Sequence, residues 1–156
     1  MAIKNNSESI KSILPVAECL NYEVLNDARR HYTYDLFTYD RSGKYLCDNV
    51  NRPDVRNNWK GRNFYRVMAP AGTKIKEGCV AGVNACWSGA QGYITVGTHP
   101  TFLNQRVKMK VCFKAGYVCP PSFCWHEEEI EAINCGSYYV YDLPNLARCP
   151  YAYCTE

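Results

Sequence analysis

Ten cysteines stand at positions 19, 47, 79, 86, 112, 119, 124, 135, 149 and 154 of this 156-residue chain. The number is even, and it exceeds what a reducing cytosol tolerates unless a metal binds the thiols. Two chemistries use cysteine at such density: thiolate sites for metals or redox work, and disulfide frameworks outside the cell. The spacings separate them. Consecutive cysteines have 27, 31, 6, 25, 6, 4, 10, 13 and 4 residues between them, so no pair has the two-residue gap of a thioredoxin-like site or a zinc knuckle. His31, His99 and His126 are scattered, and none stands close enough to another for a finger site. The expectation is therefore a secreted or extracellular protein with five disulfides, no metal and no other cofactor. Which cysteine pairs with which stays open, because ten cysteines allow about 945 pairings.

The rest of the composition, 47% hydrophobic and 21% charged, suits one folded domain. The first eighteen residues, "MAIKNNSESIKSILPVAE", read as a flexible polar tail at 1–18, ahead of a single stapled domain at 19–154. Their apolar run from Ile13 to Ala17 is broken by Pro15, too short for a signal-peptide core of about 7–15 residues. No stretch reaches the roughly 18 apolar residues of a membrane span.

Local pattern predicts an α+β, mainly β fold. In "CLNYEVLNDARRHY", Leu20, Val24, Leu25 and Ala28 fall near helical spacing, which predicts a short N-terminal helix over Cys19 to Tyr32. Arg41 to Lys60, rich in Asn, Asp, Gly and Pro, reads as an irregular loop pinned by Cys47. "RNFYRVMA" has the makeup of a strand. In "RVKMKVCF", Val107, Met109, Val111 and Phe113 alternate with Lys108, Lys110 and Cys112, a period of two that turns Cys112 away from the core face. Its disulfide partner should then come from a segment lying over the lysine side. "EIEAINC" and "YYVYDL" read as two further strands joined at Gly136 and Ser137.

Catalytic and charged-ligand readings are each weaker than a structural one. A thiol nucleophile conflicts with cysteines paired off in full. The run "HEEEIE", His126 to Glu131, could supply carboxylates for acid–base work, but an exposed acidic loop explains it more simply. "GAQGYITVG" lacks the Lys-Ser/Thr of a phosphate loop, and its glycines read as turn residues. Arg41 to Lys76 carries nine Lys or Arg against two Asp, without the long basic run of a nucleic-acid patch. Thirteen tyrosines could form a recognition surface. Alternation in "YYVY" sets Tyr139 and Tyr141 on one face and Tyr138 with Val140 on the other, one of which must be core. No enzyme is expected.

Taken in order, "ECLNYEVLNDARRHY", "KYLCD", "NFYRVMAPAGTKIKEGCV", "GTHPT", "VKMKVCF", "CGSYYVYDLP" and "CPYAYC" resemble the uromodulin-type cysteine-rich domain, the domain of eight cysteines, in its ten-cysteine form. The resemblance runs from about Cys19 to Cys154 and takes in all ten cysteines. It implies a non-enzymatic secreted or cell-surface module. It also implies the pairing Cys19 with Cys135, Cys47 with Cys149, Cys79 with Cys119, Cys86 with Cys154, and Cys112 with Cys124. Vertebrate members of the family present N-glycans that bacterial fimbrial adhesins seize.

This chain departs from those members where the glycans hang. The position before "GTHP" is Val96 and the one after "YVY" is Asp142, neither of which takes an N-glycan. Asn5, in Asn5-Asn6-Ser7, is the remaining sequon, and Asn84-Ala85-Cys86 is only the rare cysteine variant. "PPSF" between Cys119 and Cys124 also enlarges a loop that is tighter in the family. Three readings follow. The first is a recognition or adhesion module for an extracellular protein or glycan. The second is a subunit of an extracellular filament or matrix, self-associating through its basic 41–76 and acidic 127–131 segments. The third is a lectin-like glycan binder.

Overall fold

The structure is a computed structural model, and it describes residues 14–34, 45–51, 59–80, 82, 85–115, 119 and 124–156. Asn5 and most of the expected tail lie outside the described residues, as do parts of the loop expected over 41–60. Seven strands form one sheet: β1 (Glu23–Leu25), β2 (Asn63–Val67), β3 (Ala90–Val96), β4 (Arg106–Lys114), β5 (His126–Asn134), β6 (Tyr139–Leu143) and β7 (Tyr151–Tyr153). Their order across the sheet is β1-β2-β6-β5-β4-β3-β7.

The alternation in β4 organises the centre. Met109, Val111 and Phe113 are buried in the main core, while Lys108 and Lys110 point to the other face. β4 runs antiparallel to β5, with Met109 opposite Ile130 and Val107 opposite Ala132. From β5 the chain turns back into β6 at Gly136-Ser137, where the Cys135 N–H donates to the Tyr138 carbonyl at 2.8 Å. The positive φ of 94° at Gly136 suits glycine at this turn. Parallel pairings add the short strands β1 and β7 at the two edges.

The sheet rolls until its edges nearly meet. Trp59 stacks on Tyr65 of β2 at 4.3 Å and on Tyr153 of the opposite edge strand at 5.7 Å. Behind it, Arg30 and Asp48 form a buried, bidentate ion pair, Nη1 to Oδ2 at 2.8 Å and Nη2 to Oδ1 at 2.6 Å. Burial opposes the guanidinium charge, but the Asp48 carboxylate beside it holds the Arg30 pKa above its ordinary value. The same carboxylate accepts the Tyr153 N–H at 2.9 Å, and the Asp48 N–H donates to the Tyr151 carbonyl at 2.9 Å. Thr155 N–H in turn donates to the Arg30 carbonyl at 2.9 Å. The outer edge of β7, which would otherwise offer free backbone groups, is thus covered by the Arg30 and Asp48 segments.

Four expectations need correction. Cys19 to Tyr32 holds no α-helix: short 3-10 turns at Ala17–Cys19 and Ala28–Arg30 flank β1, so the fold is mainly β. Leu20, one member of the expected apolar stripe, is 73% exposed. Asp27 caps only a single turn by accepting the Arg29 N–H at 3.0 Å. So short a helix gains little on its own, and pairing with β2 wins.

"HEEEIE" is not a loop but the start of β5, because each of its residues from His126 to Glu131 has a partner on β4. Gly92 serves no turn. It lies inside β3, where a Cβ would stand 2.4 Å from the Phe113 ring and 2.9 Å from the Ala152 carbonyl oxygen. Finally, both faces of "YYVY" are packed, with Val140 and Tyr141 buried and Tyr138 and Tyr139 half-buried. Tyr141 belongs to the main core, while Val140 and Tyr138 pack with Cys19, Ile133, Cys135, Tyr22 and Phe64 in a second cluster.

Candidate functional site

In the structure the ten cysteines form five bridges: Cys19–Cys135, Cys47–Cys149, Cys79–Cys119, Cys86–Cys154 and Cys112–Cys124. The first two tie the beginning of the chain to its last strands, across 116 and 102 residues. Cys112 faces away from the main core, into a cluster of Val80, Ala85, Cys86, Tyr93 and Cys154, with Cys79 and Cys124 at its margin. The outer face of the sheet is therefore covered at both ends, by the Cys19 segment over β6 and β2 and by Val80, Ala85 and Cys86 over β3.

Between these covers the sheet is open and lined with charge. Arg106, Lys108 and Lys110 of β4 reach diagonally to Glu131, Glu129 and Glu127 of β5, at 3.1, 3.7 and 3.4 Å. Arg106 also grips Glu18 at 2.8 Å, and the bond holds that carboxyl below its usual range. Asp142 lies on the same face, 3.0 Å from Arg62 Nη2. Each exposed pair is worth about 0–1 kcal/mol, so the ladder matters for what it neutralises more than for stability. Val96 is exposed at the end of β3, opposite Lys110.

One corner of the molecule carries exposed apolar side chains on a fixed frame. The turn from Thr101 to Gln105 projects Phe102, 72% exposed, and Leu103, 41% exposed. The Gln105 side-chain carbonyl accepts the N–H groups of Thr101 and Phe102 at 2.9 and 3.1 Å. Backbone bonds join Asn104 N–H to the Asn134 carbonyl at 2.7 Å and Asn134 N–H to the Gln105 carbonyl at 3.0 Å. Asn134 also donates from its amide to the Pro100 carbonyl at 2.9 Å. The Asn104 side chain holds the expected tail, accepting Val16 N–H at 3.1 Å and donating to the Leu14 carbonyl at 2.7 Å. Leu103 borders Gly136, so this corner sits at the β5–β6 hairpin turn.

Upstream, His99 anchors the segment that leads into the turn. Its ring pairs with the Glu77 carboxylate through Nδ1 and with the Tyr141 hydroxyl through Nε2 at 2.6 Å. Tyr141 also accepts the Ile75 N–H at 3.0 Å. Burial keeps the His99 pKa below its ordinary value in spite of Glu77, and pushes the Tyr141 hydroxyl well above its own. An acid, an imidazole and a hydroxyl in line could pass a proton, but this hydroxyl is locked in its protonated form inside the core. The grouping acts as a structural anchor.

Sequence reasoning missed both the Phe102–Leu103 turn and the His99 anchor. Two bulky apolar residues between Thr101 and the Asn104-Gln105 pair, in a segment with no strand period, were the available signal for the first. For the second there was none, since Glu77 and Tyr141 are 22 and 42 residues away from His99. Among the described residues no group of His, Cys, Asp and Glu side chains could hold a metal, and no helix is long and apolar enough to cross a membrane.

Five disulfides in a small β domain fit an extracellular location. The family model for the uromodulin-like domain of eight cysteines matches residues 65–155, more than half of the chain. Eight of the ten cysteines lie inside that match, and Cys19 and Cys47 add a bridge each from the segment before it. The chain belongs to the family of uromodulin-like domains of eight cysteines.

Proposed function

We propose that this protein is a secreted or cell-surface, non-enzymatic recognition or adhesion module whose contact centres on the Thr101–Gln105 turn. What supports the reading is the fixed exposure of Phe102 and Leu103. Large apolar side chains exposed together mark interaction sites, and a turn whose backbone is already held loses little backbone entropy on binding. The filament reading is less well supported, because the acidic residues it would use, Glu127 and Glu129, are already matched by Lys110 and Lys108 of the same sheet. The lectin-like reading draws on one observation, an arginine, Arg66, framed by two tyrosine rings.

The test uses a fluorescent tetramer of the domain on arrays of extracellular proteins and of glycans, beside a tetramer of the F102S/L103S variant. The wild type should bind at least one feature, and the variant should lose about tenfold or more in affinity with an unchanged melting temperature. Equal binding by the variant, or no binding by the wild type, would overturn the reading. Salt-dependent oligomers in light scattering would instead favour the filament.

A further inference from the structure

The turn that carries Phe102 and Leu103 is tied to the sheet through Asn134, whose amide donates to the Pro100 carbonyl at 2.9 Å and whose backbone holds Asn104 and Gln105. A second tie is His99, two residues before Thr101 and only 8% exposed. Its backbone N–H donates to Glu77 Oε1 at 3.0 Å, and its ring pairs with the same oxygen through Nδ1. Nε2 meets the Tyr141 hydroxyl at 2.6 Å, and that hydroxyl accepts the Ile75 N–H at 3.0 Å.

These partners suit one protonation state of the ring. The Glu77 carboxylate only accepts, so Nδ1 carries the proton. Nε2 is then a bare lone pair, and the Tyr141 hydroxyl donates to it. A second proton, on Nε2, would face that hydroxyl and make it turn its own hydrogen away. Among the described residues the hydroxyl has no other acceptor, and Tyr141 is fully buried, so the displaced hydrogen would be left unpaired. The charged groups around the ring pull in both directions. Burial opposes a charge on His99, and so does Lys74, while Glu77 and Glu156 favour it. Lys76 is paired with Glu156 at 3.6 Å, and Tyr139 of β6 offers only its ring, 4.6 Å away between centroids. Burial prevails, so the seated ring takes up its second proton below the ordinary 6.5.

A ring released into water has no such handicap. Any state in which His99 has left its seat binds the proton more tightly, and acid shifts the population toward that state. The smallest such state is local. β3 ends at Val96, and Gly97 follows with a φ of 93°, a natural pivot. Between that glycine and the turn only His99 and Pro100 are buried, so lifting them out frees the turn without opening a strand pair.

We infer that His99 is a proton-operated latch on the Thr101–Gln105 turn: seated while neutral, it holds the turn ready to bind, and once protonated it leaves the core and lets the turn, with its partner, go. The inference rests on the reading of that turn as the contact and assigns the contact its regulation.

The test is native-state hydrogen exchange of the folded domain, disulfides intact, at pH 7.5 and 5.0 and at several low urea concentrations. The Phe102 and Asn104 N–H groups, bonded to the Gln105 side chain and the Asn134 carbonyl, report the turn, and the Val111 N–H in the centre of β4 reports global unfolding. The turn amides should exchange through an opening that urea barely promotes, whereas the opening seen by Val111 should grow steeply with urea. Corrected for intrinsic rates, the turn opening should become about tenfold more frequent at pH 5.0. Its ceiling is about 30-fold, set by a released histidine of pKa about 6.5. His99→Gln, whose amide can still donate to Glu77 and accept from Tyr141, should make the opening independent of pH. Glu77→Gln, which removes the carboxylate that favours charge on the seated ring, should enlarge the response.

A turn opening that ignores pH in the wild type would overturn the inference. So would an equal response in His99→Gln, which would assign the effect to His31 or His126, or a Glu77→Gln response no larger than that of the wild type. Turn amides that exchange only together with Val111 would overturn it as well. The measurement needs no ligand, so a flat exchange result beside array binding that depends on Phe102 and Leu103 would remove the latch and leave the recognition reading standing.

Discussion

Replacing Asp48 by Asn tests whether the rolled sheet is held by its buried ion pair. Among the described residues the carboxylate accepts three bonds, from Arg30 Nη2 at 2.6 Å, Arg30 Nη1 at 2.8 Å and Tyr153 N–H at 2.9 Å. An amide of the same shape offers one acceptor oxygen and turns an NH2 toward donors, leaving the Arg30 charge buried without its partner. Removing one member of such a pair costs about 3–5 kcal/mol, a large share of the roughly 5–15 kcal/mol that stabilises a domain. At about 2–4 °C per kcal/mol for this chain length, melting should fall by about 6–20 °C.

The double variant R30M/D48L separates lost charge pairing from lost shape. Apolar replacement of a buried pair is often neutral or stabilising by about 1–4 kcal/mol, and an orphaned Tyr153 N–H would take back about 1–3 kcal/mol. The double variant should therefore fall close to wild type and well above D48N. Urea unfolding with the disulfides intact, followed by tryptophan fluorescence, reads the effect, since Trp59 is stacked on Tyr153 at the junction. A D48N cost below about 1 kcal/mol would refute the view of this pair as a dry, edge-closing contact. A double variant as unstable as the single one would show that charge pairing is not what matters there.

Gly92→Ala should destabilise the fold by about 1–3 kcal/mol, because the new methyl meets the Phe113 ring and the Ala152 carbonyl with no room to relax. A neutral result in the same urea assay would mean that β3 and β7 are less closely apposed. His99 predicts a pH effect. Its folded pKa lies below the ordinary 6.5, mainly through burial, so the unfolded chain binds the proton first. Stability from this group is complete above pH 6.5 and is lost as pH falls from there through the lowered folded pKa, at no more than about 1.4 kcal/mol per pH unit. Urea midpoints between pH 7.5 and 5 should fall in the wild type and flatten in His99→Gln; an unchanged slope in that variant would assign the effect elsewhere. Burial raises the Glu77 carboxyl, but the His99 bond outweighs it and holds the group low, so its contribution is lost only below its ordinary 4.5, a window that opens at lower pH than that of His99.

Period-two alternation was enough to orient β4, because a strand's two faces differ whenever one side is core, and it turned Cys112 to the side its bridge occupies. The same logic failed for β6, and the reason is physical. Alternation reports which residues share a face but not what distant segment is laid over that face. Val140 and Tyr138 are covered because the Cys19–Cys135 bridge brings the chain's beginning across them, from 116 residues away. The missed helix has the same origin: a segment drawn across the sheet by its cysteine gains more from strand pairing than from a few local helical bonds. Arg66 carries the point to side-chain chemistry. Nothing in "NFYRVMA" distinguishes its arginine from Arg62, yet Arg62 finds Asp142 while Arg66 is capped by tyrosines from two remote segments, its Nε buried without an acceptor among the described residues. Cysteine content limits the compartment, and the family resemblance supplies a pairing. The chemistry on offer, however, arises only where bridged segments lie against one another.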